Sequence, residues 1–185
     1  GILGCSTDAV IQATTTSRPV TLLVHGITWD PQQPSGVWGT VKNRAAGEHE
    51  WTGMIGHLEE QGYRFGGVVR CNGSNIKLPD CLDTTGTSGN PRSANLFALE
   101  FSPSANTDGL SYKTLELVRC LQELQKFTGC SKVCIVAHSA GGIIARAYLQ
   151  DAVPGVEYEG DVDRLITIST THLGAAIADH FGDFL

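Results

Sequence analysis

The chain has 185 residues, 41% of them hydrophobic, which is enough for one domain with a sizeable core and too few for two comfortable ones. Its 19 acidic side chains outnumber 13 basic ones, for a formal charge of −6, and the basic residues are scattered, which argues against nucleic acid or an anionic membrane surface as a partner. Only 17% of residues are charged, and no apolar run approaches the ~20 residues that would span a bilayer.

In chain order, Pro19 to Val24 is a continuous β-favouring run that stops at His25-Gly26, the pattern of a buried strand. Residues 27 to 46 lack periodicity and carry Trp29 and Trp38, so they read as a structured loop whose indoles either rim a pocket or cover the core. From Glu48 to Gln61, Trp51, Ile55 and Leu58 recur at helical steps, and Gly62 supplies a stop. Gly66 to Val69 and Asn95 to Phe101 read as strands, separated by an insertion over residues 71 to 91. Ser102 to Ser111 is a polar connection. A helix is expected over Tyr112 to Phe127, a strand over Val133 to Ala137, a second helix over Gly141 to Gln150, an acidic loop over Pro154 to Asp163 and a strand over Leu165 to Ser169. Strands that alternate with helices and are mostly apolar on both faces define an α/β class, a mostly parallel sheet covered by helices on both sides, in a single domain over residues 1 to 185.

The six cysteines, at positions 5, 71, 81, 120, 130 and 134, match no standard zinc spacing. Cys71 and Cys81 bracket a polar stretch, and a disulfide closing that surface insertion is the expectation, with free thiols as the alternative. Such a bond favours an oxidising compartment, extracellular or periplasmic. Cys134 sits in an apolar run and reads as an inert core thiol. Asn72-Gly73-Ser74 is a glycosylation acceptor triplet that matters only in a eukaryotic secretory host. The first residues, Gly1 to Cys5, resemble the end of a bacterial lipoprotein signal, although neither a positive n-region nor an apolar h-region stands before them.

The chemistry concentrates in Val136-Ala137-His138-Ser139-Ala140-Gly141-Gly142, between the best strand and a helix. A serine on a sharp strand-to-helix turn needs small neighbours, and Ala137 and Gly141 supply them two positions to either side of Ser139. Ser139 is therefore the candidate nucleophile, with the Ala140 amide at the start of the following helix as an oxyanion donor. His138, beside the nucleophile, is expected to pack behind the turn.

These residues resemble the α/β-hydrolase superfamily, and within it the small bacterial lipases. Ala-His-Ser-Ala-Gly stands where the superfamily usually has Gly-x-Ser-x-Gly, and Leu23-Val24-His25-Gly26-Ile27 is similar to the family's oxyanion strand. Ser169-Thr170-Thr171-His172-Leu173-Gly174 is similar to a run that these lipases carry after a later strand, with Thr171 where proline is common. The resemblance implies Ile27 as the second oxyanion amide and His25 and Gly26 as support for that loop. Ile27, Trp29 and Trp38 could line an acyl pocket for a neutral, lipid-like ester, with peripheral contact at a lipid interface.

In this fold the triad runs Ser, then Asp or Glu, then His. The resemblance implies that acid and base follow at a distance, and residues after Ser139 supply no pair at the family's places: His172 is the best of the weak candidates for the base, Asp151, Asp161 and Asp163 would need His172 or His180 at an unusual place, Asp179 has only its neighbour His180 after it, and no histidine follows Asp183. Both partners are expected outside this chain, on a C-terminal half present as a second chain or a further segment. No cofactor is implied, and the histidines at 25, 49, 57, 138, 172 and 180 form no metal motif. The expectation is a serine lipase or esterase; the alternative is a noncatalytic hydrolase-like binding or interaction module, or an inactive fragment.

Overall fold

The computed structural model describes residues 18–26, 50–79, 94–102 and 109–174. Six strands and three helices follow one another as β1 (Thr21–Val24), α1 (Glu50–Glu60), β2 (Phe65–Asn72), β3 (Asn75–Lys77), β4 (Leu96–Glu100), α2 (Gly109–Thr128), β5 (Val133–His138), α3 (Ala140–Leu149) and β6 (Val162–Ile168) among the described residues. They form one sheet in the order β3-β2-β4-β1-β5-β6. Only the β2–β3 hairpin is antiparallel; β2–β4, β4–β1, β1–β5 and β5–β6 are parallel.

The period-two alternation of strands explains why helices cover both faces. Leu22 and Val24 of β1, Phe97 and Leu99 of β4, and Ile135 and Ala137 of β5 belong to one apolar cluster, with Leu117, Cys120, Leu121 and Leu124 of α2 and Ile144, Ala145 and Tyr148 of α3. The intervening residues Leu23, Val68, Leu96 and Ala98 form the second cluster, against which Met54, Ile55 and Leu58 of α1 pack. Each strand residue thus meets a helix whichever way it points, and that is why the strands read as unbroken apolar runs. Leu117, Leu121 and Leu124 are fully buried, and each contributes about 2 kcal/mol of transfer free energy to the α2 contact.

The segment expected as a disulfide-closed insertion begins otherwise. Cys71 and Asn72 complete β2, the chain turns at Gly73 (φ 64°) and Ser74, and Cys71 pairs with Ile76 of β3. The alternation of β2 puts Cys71 on the same face as Val69, in the α2 cluster, where its thiol is a free, buried group 4.0 Å from the Glu116 carbonyl oxygen. The expected Cys71–Cys81 bond is therefore corrected: the Cys71 sulfur points into the core and not toward a surface loop, and Cys81 lies outside the described residues. Cys120, Cys130 and Cys134 are free as well. The other difference concerns β6, which begins at Val162, inside the stretch expected as an acidic loop, because Val133 and Cys134 of β5 already pair with Val162 and Arg164.

Burial raises the pKa of the Cys71 thiol far above its ordinary value, with Cys120 and Glu116 adding to the effect. In the native protein Cys71 is expected to resist alkylation by iodoacetamide, and in denaturant without reductant it is expected to take one label, read by peptide mass mapping. A Cys71 peptide that is labelled only after reduction would contradict the buried free thiol.

Candidate active site

β1 and β5 are neighbours, with Val24 opposite Ala137, and the chain winds to one side of β1 through β4 and to the other through β5. The carboxyl ends of such strands form the crevice in which open α/β sheets bind ligands. Here those ends are His25-Gly26 and Ser139.

Ser139 has φ 51° and ψ −128°, a left-handed conformation that costs a non-glycine residue about 1–3 kcal/mol. Neighbours hold it there. Its N–H donates to the Ile168 carbonyl of β6 at 2.9 Å, and its carbonyl accepts the Gly142 N–H at 3.1 Å, which starts α3. The hydroxyl makes no capping hydrogen bond to α3, so it is not spent on the helix's first amides.

Close approach of β1 to α3 demands glycine on both sides. A Cβ on Gly141 would lie 2.5 Å from the His25 carbonyl oxygen and 2.8 Å from that of Val24, both backbone atoms that cannot rotate away. A Cβ on Gly26 would lie 2.9 Å from Ser139 Cβ, 3.2 Å from Ser139 Oγ and 3.3 Å from the Ala140 nitrogen. Gly26 therefore faces both the serine hydroxyl and the first amide of α3, and the backbone of β1 passes directly beside the position that an attacked carbonyl would occupy.

The His25 side chain is buried on the α2 side of β1. Its Nδ1 is 2.7 Å from the Gly26 carbonyl oxygen and its Nε2 3.4 Å from the Phe101 amide nitrogen. A carbonyl can only accept and an amide can only donate, so the ring is neutral with its proton on Nδ1. Burial, opposed by the Gly26 hydrogen bond and assisted by the nearby Lys113 charge, lowers its pKa to about 4. The ring also meets Phe101 edge-on at 5.1 Å between centroids.

Beside this ring lie two buried ionisable side chains that sequence reasoning missed. Glu116 is fully buried in α2, and its Oε2 accepts the Ser102 backbone N–H at 3.0 Å. Lys113, one turn earlier, is 5% exposed and its Nζ lies 5.8 Å from the centre of the Phe101 ring. Burial raises the Glu116 pKa, opposed by the Ser102 hydrogen bonds and by Arg119 and Lys113, and burial lowers that of Lys113. A signal existed in the sequence: Lys113 falls four residues before Leu117 and Glu116 four before Cys120, on the helical face that continues through Leu121 and Leu124.

The other sequence candidates lie elsewhere. His172 sits in the turn after β6, where Arg146 Nη1 donates to its Nδ1 at 2.8 Å and its Nε2–H donates to Thr167 Oγ1 at 3.1 Å. Both ring nitrogens are thus engaged by residues of α3 and β6, and neither is directed to Ser139. His138 shares the strand face of Val136, opposite the α2 and α3 face, by the alternation of β5. Asp151 follows α3 and Asp161 precedes β6, which puts both at the amino end of the sheet, opposite Ser139; Asp151 accepts the Tyr158 N–H at 2.6 Å and Asp161 the Tyr148 hydroxyl at 2.8 Å. Asp163, the second residue of β6, accepts from the Cys134 thiol at 3.7 Å. Ile27, Trp29, Trp38, Asp179, His180 and Asp183 lie outside the described residues. Among the described residues, no group of three or more His, Cys, Asp or Glu side chains could hold a metal ion, and no helix is long and apolar enough to cross a membrane.

A mixed sheet with helices on both faces and a strained serine between its fifth strand and the next helix is an α/β-hydrolase-like arrangement. The family model described as the PGAP1-like alpha/beta domain matches residues 83–183, more than half of the chain, and the protein belongs to that family. Among solved structures, the product of gene lin2722 from Listeria innocua is similar in fold, with a TM-score of 0.52 at 16% identity, covering 88% of this chain and 55% of the other. The chain thus spans just over half the length of that relative. No curated protein matches. These likenesses define a hydrolase-related fold and are broader than the small bacterial lipase branch.

Two outcomes follow from the packing. Gly141→Ala is expected to destabilise the protein by roughly 2 kcal/mol or more, read from the shift in urea midpoint, because its new methyl meets backbone oxygens. For His25, the folded pKa lies below the ordinary value of 6.5, so the unfolded chain binds the extra proton. The stability contributed by the neutral ring is full above pH 6.5 and is lost as pH falls toward 4. The difference in unfolding free energy between wild type and His25→Gln should therefore shrink by roughly 3 kcal/mol between pH 7 and pH 4. A pH-independent difference would contradict the buried neutral ring.

Proposed function

We propose that the chain carries the nucleophile side of a serine carboxylic-ester hydrolase. In this reading the Ser139 oxygen attacks the ester carbonyl and gives its proton to a base, while the amides of Ala140 and Ile27 stabilise the oxyanion. The alcohol leaves with a proton from that base, and water then cleaves the acyl-enzyme by the same route in reverse. The observation that carries the reading is the Ser139 turn: a non-glycine residue held at φ 51°, its hydroxyl not used as a helix cap, against a glycine too close to bear a side chain. Backbone strain of this kind clusters at active sites.

The proposed substrate is a neutral, lipid-like ester, as in the small bacterial lipases, since a net charge of −6 gives no attraction for anionic ones. Ile27, Trp29 and Trp38 are the proposed acyl-pocket residues. The acid and the base are proposed to come from outside the described residues, on a further segment or a partner chain.

For the described residues taken alone, a hydrolase-like module without catalysis of its own is the better supported reading. The observation that favours it is the engagement of both His172 nitrogens by Arg146 and Thr167, together with the placement of Asp151 and Asp161 at the far end of the sheet.

The two readings separate on the full-length protein treated with a fluorophosphonate probe, followed by peptide mapping. The hydrolase reading expects an adduct on Ser139 and loss of both adduct and ester turnover in Ser139→Ala, with an unchanged circular dichroism spectrum. A Ser139 that stays unlabelled in the full-length protein would leave the noncatalytic module as the answer.

A further inference from the structure

The elbow and the buried α2 charges are joined by a continuous series of hydrogen bonds. Glu116 Oε2 accepts the Ser102 N–H at 3.0 Å; the preceding amide, that of Phe101, donates to His25 Nε2 at 3.4 Å; and His25 Nδ1–H donates to the Gly26 carbonyl at 2.7 Å. Gly26 is the residue packed against Ser139 Oγ and the Ala140 nitrogen. The series runs from the middle of α2, through the end of β4, to the end of β1.

We infer that Glu116 is a positioning residue for the oxyanion side of Ser139, acting through Ser102, Phe101 and His25 on the Gly26 carbonyl; the catalytic part of this inference rests on the hydrolase reading. Phe101 and Ser102 stand just beyond β4, where ladder hydrogen bonds no longer fix the chain, and the Glu116 carboxylate supplies the acceptor that fixes it instead. With Phe101 held, its amide occupies His25 Nε2 and forces the ring proton onto Nδ1, the only nitrogen that can hold the Gly26 carbonyl. A fixed Gly26 carbonyl fixes the peptide plane of the residue that lies against Ser139 Oγ and the Ala140 nitrogen. Full burial of a carboxylate is costly, and a bond to a neighbouring backbone amide is the kind of contact that offsets the cost. The other Glu116 oxygen, Oε1, is buried without a hydrogen-bond partner among the described residues, so the side chain is not maximally satisfied where it stands. A carboxylate retained in that state is better explained by what it holds than by what it adds to stability.

The test uses two conservative variants of the full-length protein. Glu116→Gln keeps an acceptor oxygen at the same reach and removes the charge, whereas Glu116→Asp keeps the charge and withdraws the acceptor by about 1.5 Å. The readouts are the ring ¹⁵N shifts of His25, which report its tautomer, and kcat and KM on a short-chain p-nitrophenyl ester. Glu116→Gln is expected to keep the Nδ1–H tautomer and near wild-type kcat. Glu116→Asp is expected to mix the two tautomers and to lower kcat roughly tenfold with KM within about twofold. A wild-type ring spectrum in Glu116→Asp, or an equal change in both variants, would overturn the inference, since a purely electrostatic or packing role predicts one of these. If wild type itself turns over no ester, the hydrolase reading fails, and the tautomer comparison still decides whether Glu116 positions His25.

Discussion

The structure depends on one close approach, that of the carboxyl end of β1 to the start of α3. The His25 carbonyl oxygen lies where a Gly141 side chain would begin, and Gly26 lies against Ser139. Each contact forbids a Cβ, and together they bring the two strand ends within reach of a single small ligand. The left-handed backbone at Ser139 follows from the same constraint, because a chain leaving β5 must turn sharply to start a helix that passes this close to β1. Hydrogen bonds from Ser139 to Ile168 and from Gly142 to Ser139 hold that turn against its strain.

Most of the described interior is apolar, but Lys113, Glu116, Ser102 and His25 are all buried where α2 meets the ends of β1 and β4. Polar groups placed in such surroundings cost stability unless each is paired, and the pairs here tie α2 to the ends of the neighbouring strands β4 and β1.

The Ser139 turn is held by described residues, Ile168 and Gly142, whereas Ile27, Trp29 and Trp38 of the candidate site lie outside them. Of the described histidines and aspartates, His25 is bonded to Gly26 and Phe101, His172 to Arg146 and Thr167, and Asp161 to Tyr148. β6 lies at the edge of the described sheet, and Ile166 on it and Leu173 in the turn after it are the exposed large apolar side chains among the described residues.

The sequence by itself determined the strand and helix succession and the place of the elbow. Apolar runs at β1, β4 and β5, helical spacing in α1 and α2, and small residues around Ser139 are local patterns, and local sterics and periodicity suffice to read them. The tertiary structure decided what depends on facing and pairing. Cys71 looked like the edge of a surface loop because its following residues are polar, yet strand alternation turned its sulfur into the core, so no bond to Cys81 is formed. β6 took in the end of an apparent loop because β5 offered it unpaired backbone. Lys113 and Glu116 lay on an apolar helical face in plain view, but their use as buried groups required β4 to end beside them. A sequence records which residues share a face; which backbone atoms that face will meet is fixed only when distant segments pack.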